Sequence, residues 1–356
     1  MTEAELMIGE RRFRNYIGGT YRDSPETFVV RSPFYDSDVR VPESSEGDVR
    51  DALFQARAAA HDTSEIPYAQ RLGILRWAGD RIGFSDRELE YAVEMLGMPL
   101  TAMREKAGFI GKMLMGLPQI YEHTDIEGRK PYGIVLACTP GNDISASTFV
   151  LANMVLTGST GVIRPSSSEV HFTTKVAEIL TESGYPAGAL NVVNYGRGRD
   201  TLTQILGNNT DLKIIFGDDS TVSRFKEFGG KVIGYGAGRA LAIVDESADP
   251  EKTADMLVEG SMVYPIGCNK TMGVRLPRSM LADIQRRVIA RVDALTVGDP
   301  RNLDTRVGYV DKTMLTCMLD RIEHLRDLEV IEIARQGRRI SDMQATPFVI
   351  ISDPTS

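Results

Sequence analysis

Gly133-Ile134-Val135-Leu136-Ala137-Cys138, running into Thr139-Pro140-Gly141-Asn142, is an unbroken apolar stretch that ends in turn formers. A strand covered by helices on both faces reads this way, whereas a strand with one wet face alternates apolar and polar residues. A helical pattern follows over 145–156, and the cycle then repeats. Gly161-Val162-Ile163-Arg164-Pro165 gives a strand, 173–182 a helix, Leu190-Asn191-Val192-Val193 a strand, 200–206 a helix and Lys213-Ile214-Ile215-Phe216 a strand. The alternation predicts an α/β fold with a doubly wound parallel sheet, whose ligands bind at the carboxyl ends of the strands.

Upstream, Tyr16–Tyr21 and Thr27–Pro33 carry β-formers bounded by Gly and Pro and read as a short strand pair. Helical periodicity covers 48–60, 69–82, 87–96 and 101–120. Downstream, Leu241-Ala242-Ile243-Val244 is a strand, 250–262 a helix, Thr271–Leu276 a strand and 279–292 a helix. A chain of 356 residues exceeds what one core usually serves, so two domains are expected, 1–235 and a smaller α/β domain over 236–356.

With 42% hydrophobic and 25% charged residues the composition is that of a globular protein. A net charge of −8 offers no field for nucleic acid or an anionic membrane. No apolar run is long enough to span a bilayer and the first residues lack a signal pattern, so a cytoplasmic protein is expected. The three cysteines, Cys138, Cys268 and Cys317, have no metal-ligand or disulfide spacing, and no metal is expected. Cys138 sits in an apolar strand and Cys317 on an apolar helix face, and both read as core. Cys268, in Val263-Tyr264-Pro265-Ile266-Gly267-Cys268-Asn269-Lys270, is the candidate nucleophile, because a thiolate attacks carbonyls and splits one hard step into two easier ones. None of His61, His123, His171 and His324 lies in a motif that would make it the partner of a cysteine hydrolase.

From Tyr16-Ile17-Gly18-Gly19 to Ala345-Thr346-Pro347 the ordered motifs resemble the aldehyde dehydrogenase superfamily. The resemblance implies an NAD(P)-binding Rossmann-type domain over 1–235 and a catalytic domain carrying Cys268 over 236–356. Thr139-Pro140-Gly141-Asn142 stands where the family has Thr-Pro-Trp-Asn, which makes Asn142 the oxyanion donor, a role worth about 3–4 kcal/mol. Val162-Ile163-Arg164-Pro165-Ser166-Ser167 occupies the place of the ribose-binding Lys-Pro-Ser-Glu. Arg for Lys and Ser for Glu leave a positive pocket that accepts NADPH as readily as NADH. Phe216-Gly217-Asp218-Asp219-Ser220 matches a turn beside the pyrophosphate, with Asp218 and Asp219 as departures that suit a helix cap. Cofactor contacts are thus assigned to Thr139, Pro140, Arg164, Ser166, Ser167, Phe216, Gly217 and Ser220. Gly196, from the incomplete glycine motif Gly196-Arg197-Gly198, is added to them.

The largest departure is Tyr235, which falls on the family's general-base Glu and so removes the group expected to activate water. The resemblance is accordingly drawn toward the acylating, acyl-CoA reductase branch, with acyl thioester reduction to aldehyde as the first expectation. Aldehyde oxidation to the acid, with Glu259 activating water, and an inactive nucleotide-binding or interaction subunit are the alternatives. The chain stops before the family's Glu-Ile-Phe-Gly-Pro-Val motif, so the catalytic domain is expected to be short at its C-terminus. The expected partner is a small aldehyde or acyl thioester, with Met113, Leu117, Tyr264 and Ile266 as candidate pocket residues, and homo-oligomers stay open.

Overall fold

The computed structural model describes residues 3–121, 130–238, 240–261, 267–268 and 270–352. Helix α1 (Glu3–Glu10) precedes a hairpin of β1 (Asn15–Ile17) and β2 (Thr20–Arg22). Its turn is Gly18-Gly19, both at positive φ, 65° and 81°. That is the geometry a two-residue hairpin needs, and only glycine adopts it without strain. The sequence reading paired 16–21 with 27–33, and here the structure differs. The two glycines fold 16–21 back on itself, and β3 (Thr27–Arg31) pairs instead with β4 (Asp38–Pro42) in a separate antiparallel ribbon.

Four helices follow: α2 (Glu46–Glu65), α3 (Tyr68–Arg81), α4 (Asp86–Leu96) and α5 (Leu100–Ile120). α2 opens on a capping box, in which the Ser45 hydroxyl accepts from the Asp48 amide and the Asp48 carboxylate accepts from the Ser45 amide. The reciprocal bonds satisfy two amides that a helix start otherwise leaves orphaned. The winding then begins with β5 (Ile134–Cys138), α6 (Ile144–Thr157), β6 (Thr160–Arg164), α7 (Val170–Glu182), β7 (Leu190–Val192), α8 (Asp200–Asn208), β8 (Leu212–Phe216), α9 (Asp219–Lys226) and β9 (Lys231–Tyr235).

The sheet order is β2-β1-β7-β6-β5-β8-β9, with β5 to β9 parallel and β1 antiparallel on β7. The chain moves outward from β5 through β6 and β7, then returns to the other side of β5 for β8 and β9. The switch therefore lies between β5 and β8, where open α/β sheets bind their ligands. Every residue of β5 is buried. Ile134, Leu136 and Cys138 join Val49, Leu53 and Ala56 of α2, Leu202, Ile205 and Leu206 of α8, and Phe225 of α9 in one core. On the other face Gly161 admits Met154 of α6 against the sheet. β9 has no counterpart in the sequence reading. As an edge strand it is only partly covered, so Lys231, Gly234 and Tyr235 interrupt the apolar run by which its neighbours are recognised.

The described chain divides into two units. The first holds Met1–Ser32, Asp36–Tyr91 and Arg104–Ala237, and the second holds Pro33–Tyr35, Ala92–Met103 and Gly238–Ser356. A single boundary near residue 236 leaves out two short segments that are bonded into the second unit. The Leu100 amide donates to Pro300 O, the Tyr309 amide to Gly97 O, and the Tyr35 hydroxyl to Asp299. The second unit pairs β10 (Ala240–Ile243) with β11 (Thr271–Arg275) in parallel around the crossover helix α10 (Pro250–Ser261). α11 (Arg278–Asp293) packs on α10 through Ala254, Leu257, Val258, Ile284, Val288 and Val292. Beyond it come α12 (Lys312–Asp327) and the short strands β12 (Glu332–Arg335), β13 (Arg339–Ser341), β14 (Gln344–Ala345) and β15 (Val349–Ile351).

In the first unit a buried ionic pin ties α4 to α7. Glu88 accepts from Lys175 Nζ at 2.6 Å, lies 2.6 Å from His171 Nε2, and takes the Ser85 amide and hydroxyl at 2.7 and 2.9 Å. Burial alone would raise its pKa, but His171, Lys175 and Ser85 outweigh that and bring it down to about 2. A depressed carboxylate contributes stability that is fully present above its unfolded value and is lost as pH falls. The loss should therefore fall between about pH 4.5 and pH 2. Glu88→Gln, which strands the buried His171 and Lys175, should lower the unfolding free energy by about 3 kcal/mol at pH 7. Urea denaturation of the variant should also lose this acid-side sensitivity, and an unchanged midpoint would show that the pin carries no stability.

Candidate active site

The loops that leave β5 and β6 at the carboxyl edge are laced together. The Thr139 amide donates to Arg164 O, the Ser166 amide to Thr139 O and the Ser168 hydroxyl to Gly141 O. A Cβ on Gly141 would fall inside the Ser166 and Ser168 hydroxyls. Glycine, where the resemblance places a tryptophan, is therefore matched to the serines of the facing loop. Asn142 is half-buried and directly precedes Asp143, the N-cap of α6. Burial opposes ionisation of Asp143, yet Lys106 at 2.8 Å and the Ser145 amide and hydroxyl hold its carboxyl below the usual range. Behind the serine loop Glu169 is fully buried and takes hydroxyl bonds from Ser147 at 2.9 Å and Thr173 at 2.6 Å. Burial dominates there and pushes its pKa well above the ordinary value, against the two hydroxyl bonds, which favour the charged form.

Two buried polar atoms at this edge have no hydrogen-bond partner among the described residues, Thr139 Oγ1 and Arg164 Nε. Both atoms are enclosed by the protein itself. The rest of the Arg164 guanidinium is committed: it donates to Tyr195 O at 3.0 Å and lies 5.0 Å over the Tyr195 ring. Cys138 is a core thiol, as its sequence context predicts. Burial drives its pKa up to about 11, with Arg164 pulling the other way.

Thr139, Pro140, Arg164, Ser166 and Ser167 thus share one edge, and Phe216, Gly217 and Ser220 follow from the adjacent end of β8. Asp218 is the N-cap of α9, as the sequence suits it to be. It accepts from the Thr221 amide at 2.7 Å and from the Ser220 hydroxyl at 2.8 Å, and these bonds hold its carboxyl at about 2. The Ser220 hydroxyl is therefore spent inside the cap. The Gly196 amide donates to the Glu43 carboxylate, which Arg199 also grips at 2.8 Å, so its donor is engaged within the protein. Glu43 has no local motif that would single it out, since the chain brings it to Gly196 from 153 residues away.

In the second unit Cys268 is a free, exposed thiol in a turn closed by the Lys270 amide on Gly267 O. Gly238 packs directly on this turn, and a Cβ there would overlap the Cys268 carbonyl. Val263, Tyr264, Pro265, Ile266 and Asn269 lie outside the described residues. Three expectations are corrected. Cys317 is exposed on α12, whose only buried residue is Leu315, so it is no core thiol. Met113 and Leu117, expected in a substrate pocket, are buried in the core of α5. Glu259 pairs with Arg306 at 2.8 Å, the commitment of a surface helix glutamate. Among the described residues no group of three His, Cys, Asp or Glu is placed to hold a metal, and no helix is long and apolar enough to cross a membrane.

Iodoacetamide on the native protein, read by peptide mass, should label Cys268 and Cys317 and spare Cys138 until the chain unfolds. Gly238→Ala should change the labelling rate of Cys268 several-fold and leave Cys317 unaffected. Equal rates in the variant would mean that the close backbone approach does not set the geometry of the cysteine.

The family profile described as aldehyde dehydrogenase family matches residues 21–337. Among curated proteins the chain is 25% identical over 314 residues to 2,5-dioxopentanoate dehydrogenase of Saccharolobus solfataricus, covering 81% of this chain and 63% of that protein. It is 25% identical over 342 residues to alpha-ketoglutarate semialdehyde dehydrogenase of Haloferax volcanii, covering 87% of this chain and 69% of the relative. The chain thus spans about two thirds of the length of these relatives. Among solved structures, an NAD-dependent aldehyde dehydrogenase from Sinorhizobium meliloti superposes with a TM-score of 0.81 at 22% identity, over 95% of this chain and 73% of that one. The NADP-complexed glyceraldehyde-3-phosphate dehydrogenase from Bacillus halodurans C-125 gives 0.78 at 20%, over 95% and 76%. A Rossmann-type sheet of the kind that takes NAD or NADP, a smaller α/β unit carrying Cys268, and a family match over most of its length make this chain a member of the aldehyde dehydrogenase family.

Proposed function

We propose that this chain oxidises an aldehyde with NAD or NADP through covalent attachment to Cys268. The observation that carries the reading is the run of relatives aligned along more than four fifths of the chain, dehydrogenases whose names specify 2,5-dioxopentanoate and alpha-ketoglutarate semialdehyde. In this reading the Cys268 thiolate attacks the aldehyde carbon to form a thiohemiacetal, and an amide donor, Asn142, steadies the oxyanion. The nicotinamide cofactor, when bound, takes the hydride. Cys268 is left as a thioester, and transfer of the acyl group to water frees the thiol. The loops from Thr139 and Arg164 at the carboxyl edge are where the cofactor would lie, and Ser167 in place of a ribose-binding carboxylate leaves the 2′ position free of negative charge. NADP is therefore accepted alongside NAD.

A second reading is favoured by one residue. Tyr235 ends β9 where the resemblance places the water-activating carboxylate, and an aromatic hydroxyl stands there in place of that base. Glu259, the other candidate, is engaged by Arg306. With water poorly activated, the thioester would pass to or from a thiol such as that of coenzyme A, which is the acyl thioester chemistry expected from the sequence.

The test is reduction of NAD and NADP by the purified protein with alpha-ketoglutarate semialdehyde and simple aliphatic aldehydes, with and without coenzyme A. The reverse assay uses NADPH with acyl thioesters. Aldehyde-dependent turnover that releases acid without coenzyme A supports the first reading, and strict dependence on the thiol moves the assignment to the second. Cys268→Ala should abolish either activity, by at least about 10³-fold for loss of the nucleophile. Turnover that survives the substitution would sink covalent catalysis at Cys268.

A further inference from the structure

Asn142 lies between two anchors that come from different parts of the chain. On its N-terminal side Gly141 O accepts from the Ser168 hydroxyl at 3.2 Å, which ties the loop after β5 to the loop after β6. On its C-terminal side Asp143 divides its carboxylate between two partners. Oδ1 accepts from the Ser145 amide at 2.9 Å and the Ser145 hydroxyl at 2.6 Å, and the amide bond is the cap of α6. Oδ2 accepts from Lys106 Nζ at 2.8 Å, and Lys106 stands on α5, 37 positions earlier. One turn into α6 the Ser147 hydroxyl donates to Glu169, just before α7, at 2.9 Å. The start of α6 is thus gripped from α5 on one side and from the head of α7 on the other.

The cap by itself does not call for a carboxylate, because asparagine or serine at an N-cap serves as well. The second oxygen goes to the lysine. Freely exposed ion pairs contribute little, since water screens them and both side chains must be ordered. Here Lys106 and Asp143 keep only 26% and 25% of their side-chain area exposed, and the cap already orders the carboxylate. The two bonds also restrain different things. Oδ1 ties Asp143 to its own helix, while Oδ2 ties that helix end to α5. Asn142 is the single residue between the Ser168 anchor and this one, so the planar peptide units on either side of it are each fixed at their far end.

We propose that Lys106, acting through Asp143, is a positioning residue for the Asn142 amide that steadies the oxyanion. The proposal rests on the covalent reading above and adds to it a residue that no motif marks. Lys106 sets the point from which the Asn142 side chain reaches the reacting oxygen. A donor acts most strongly when its place is fixed before charge develops, because nothing then reorganises during the reaction. Loosening the anchor therefore lowers the rate and leaves affinity alone.

The experiment is steady-state kinetics on the 356-residue protein, with the aldehyde or acyl thioester and the nicotinamide cofactor that the wild type uses best. It compares the wild type, Lys106→Met, Asp143→Asn and their double variant, and repeats Lys106→Met in an Asn142→Ala background. Methionine keeps an unbranched stem at position 106, and asparagine keeps the cap while giving up the charge. Lys106→Met should lower kcat about tenfold at unchanged KM for both substrates, a part of the loss expected from removing the donor itself. Asp143→Asn should match it, and the double variant should fall no further than either single change. In the Asn142→Ala background Lys106→Met should leave kcat where it is, and cofactor dissociation constants by calorimetry should stay at the wild-type value throughout. A lysine with a merely structural role would lower kcat by the same factor with and without Asn142, and that result overturns the proposal. An unchanged kcat in Lys106→Met, or a loss confined to KM, overturns it as well, and each of these leaves the covalent reading standing. A wild type that turns over neither aldehydes nor acyl thioesters overturns both.

Discussion

Burial of β5 on both faces is the constraint from which the first unit follows. Ile134, Leu136 and Cys138 need α2, α8 and α9 on one side, and the β5–β6 pair needs α6 on the other, which Gly161 permits by admitting Met154. A strand enclosed in this way is extended by parallel neighbours joined through helices, and it cannot end in a hairpin turn. Its carboxyl end must therefore open into a loop at the edge of the sheet. Because the chain first winds to β6 and β7 and then returns for β8, that loop stands at the switch. The lacing of Thr139 and Gly141 to Arg164, Ser166 and Ser168 is built on this placement.

Charge is handled differently in the two halves of the edge. Behind the β6 loop burial raises the pKa of Glu169, while His171 and Lys175 bring that of Glu88 down to about 2, although both carboxyls are buried. The difference lies in their partners. The two hydroxyl bonds to Glu169 favour its charged form less than burial opposes it, whereas the cations beside Glu88 outweigh its desolvation. In front of β8, Asp218 is ionised and its charge is absorbed by the cap of α9. Of the acidic pair in that turn, Asp218 is therefore turned inward to the helix.

The edge is open where β9 ends. Tyr235, which in the hydrolytic pattern would be a carboxylate, stacks on Phe216 and presents a ring. An aromatic side chain stands at this point in place of the carboxylate of the hydrolytic pattern. The same substitution accounts for the pull between aldehyde oxidation, which the relatives favour, and thioester chemistry, which the residue favours.

The sequence alone determined the enclosed strands and their helices, because continuous apolar runs and helical periodicity are imposed by burial on both faces and are written residue by residue. It also named Cys268, Asn142 and the loops from Thr139 and Arg164 as candidates, since motif order along the chain is read without knowledge of distance. The edge strand β9 was not legible, because a strand with one uncovered face and an open ladder need not be apolar, and Lys231, Gly234 and Tyr235 are what such an edge tolerates. Nor were the pairings of 16–21 and 27–31, the exposure of Cys317, or the burial of Met113 and Leu117. Tertiary structure alone decided these, along with the capture of the Gly196 amide by Glu43 and the commitment of Arg164 to Tyr195. Each depends on residues brought together from tens to more than a hundred positions apart, or on which side of a helix finds a neighbour, and local pattern carries no record of either.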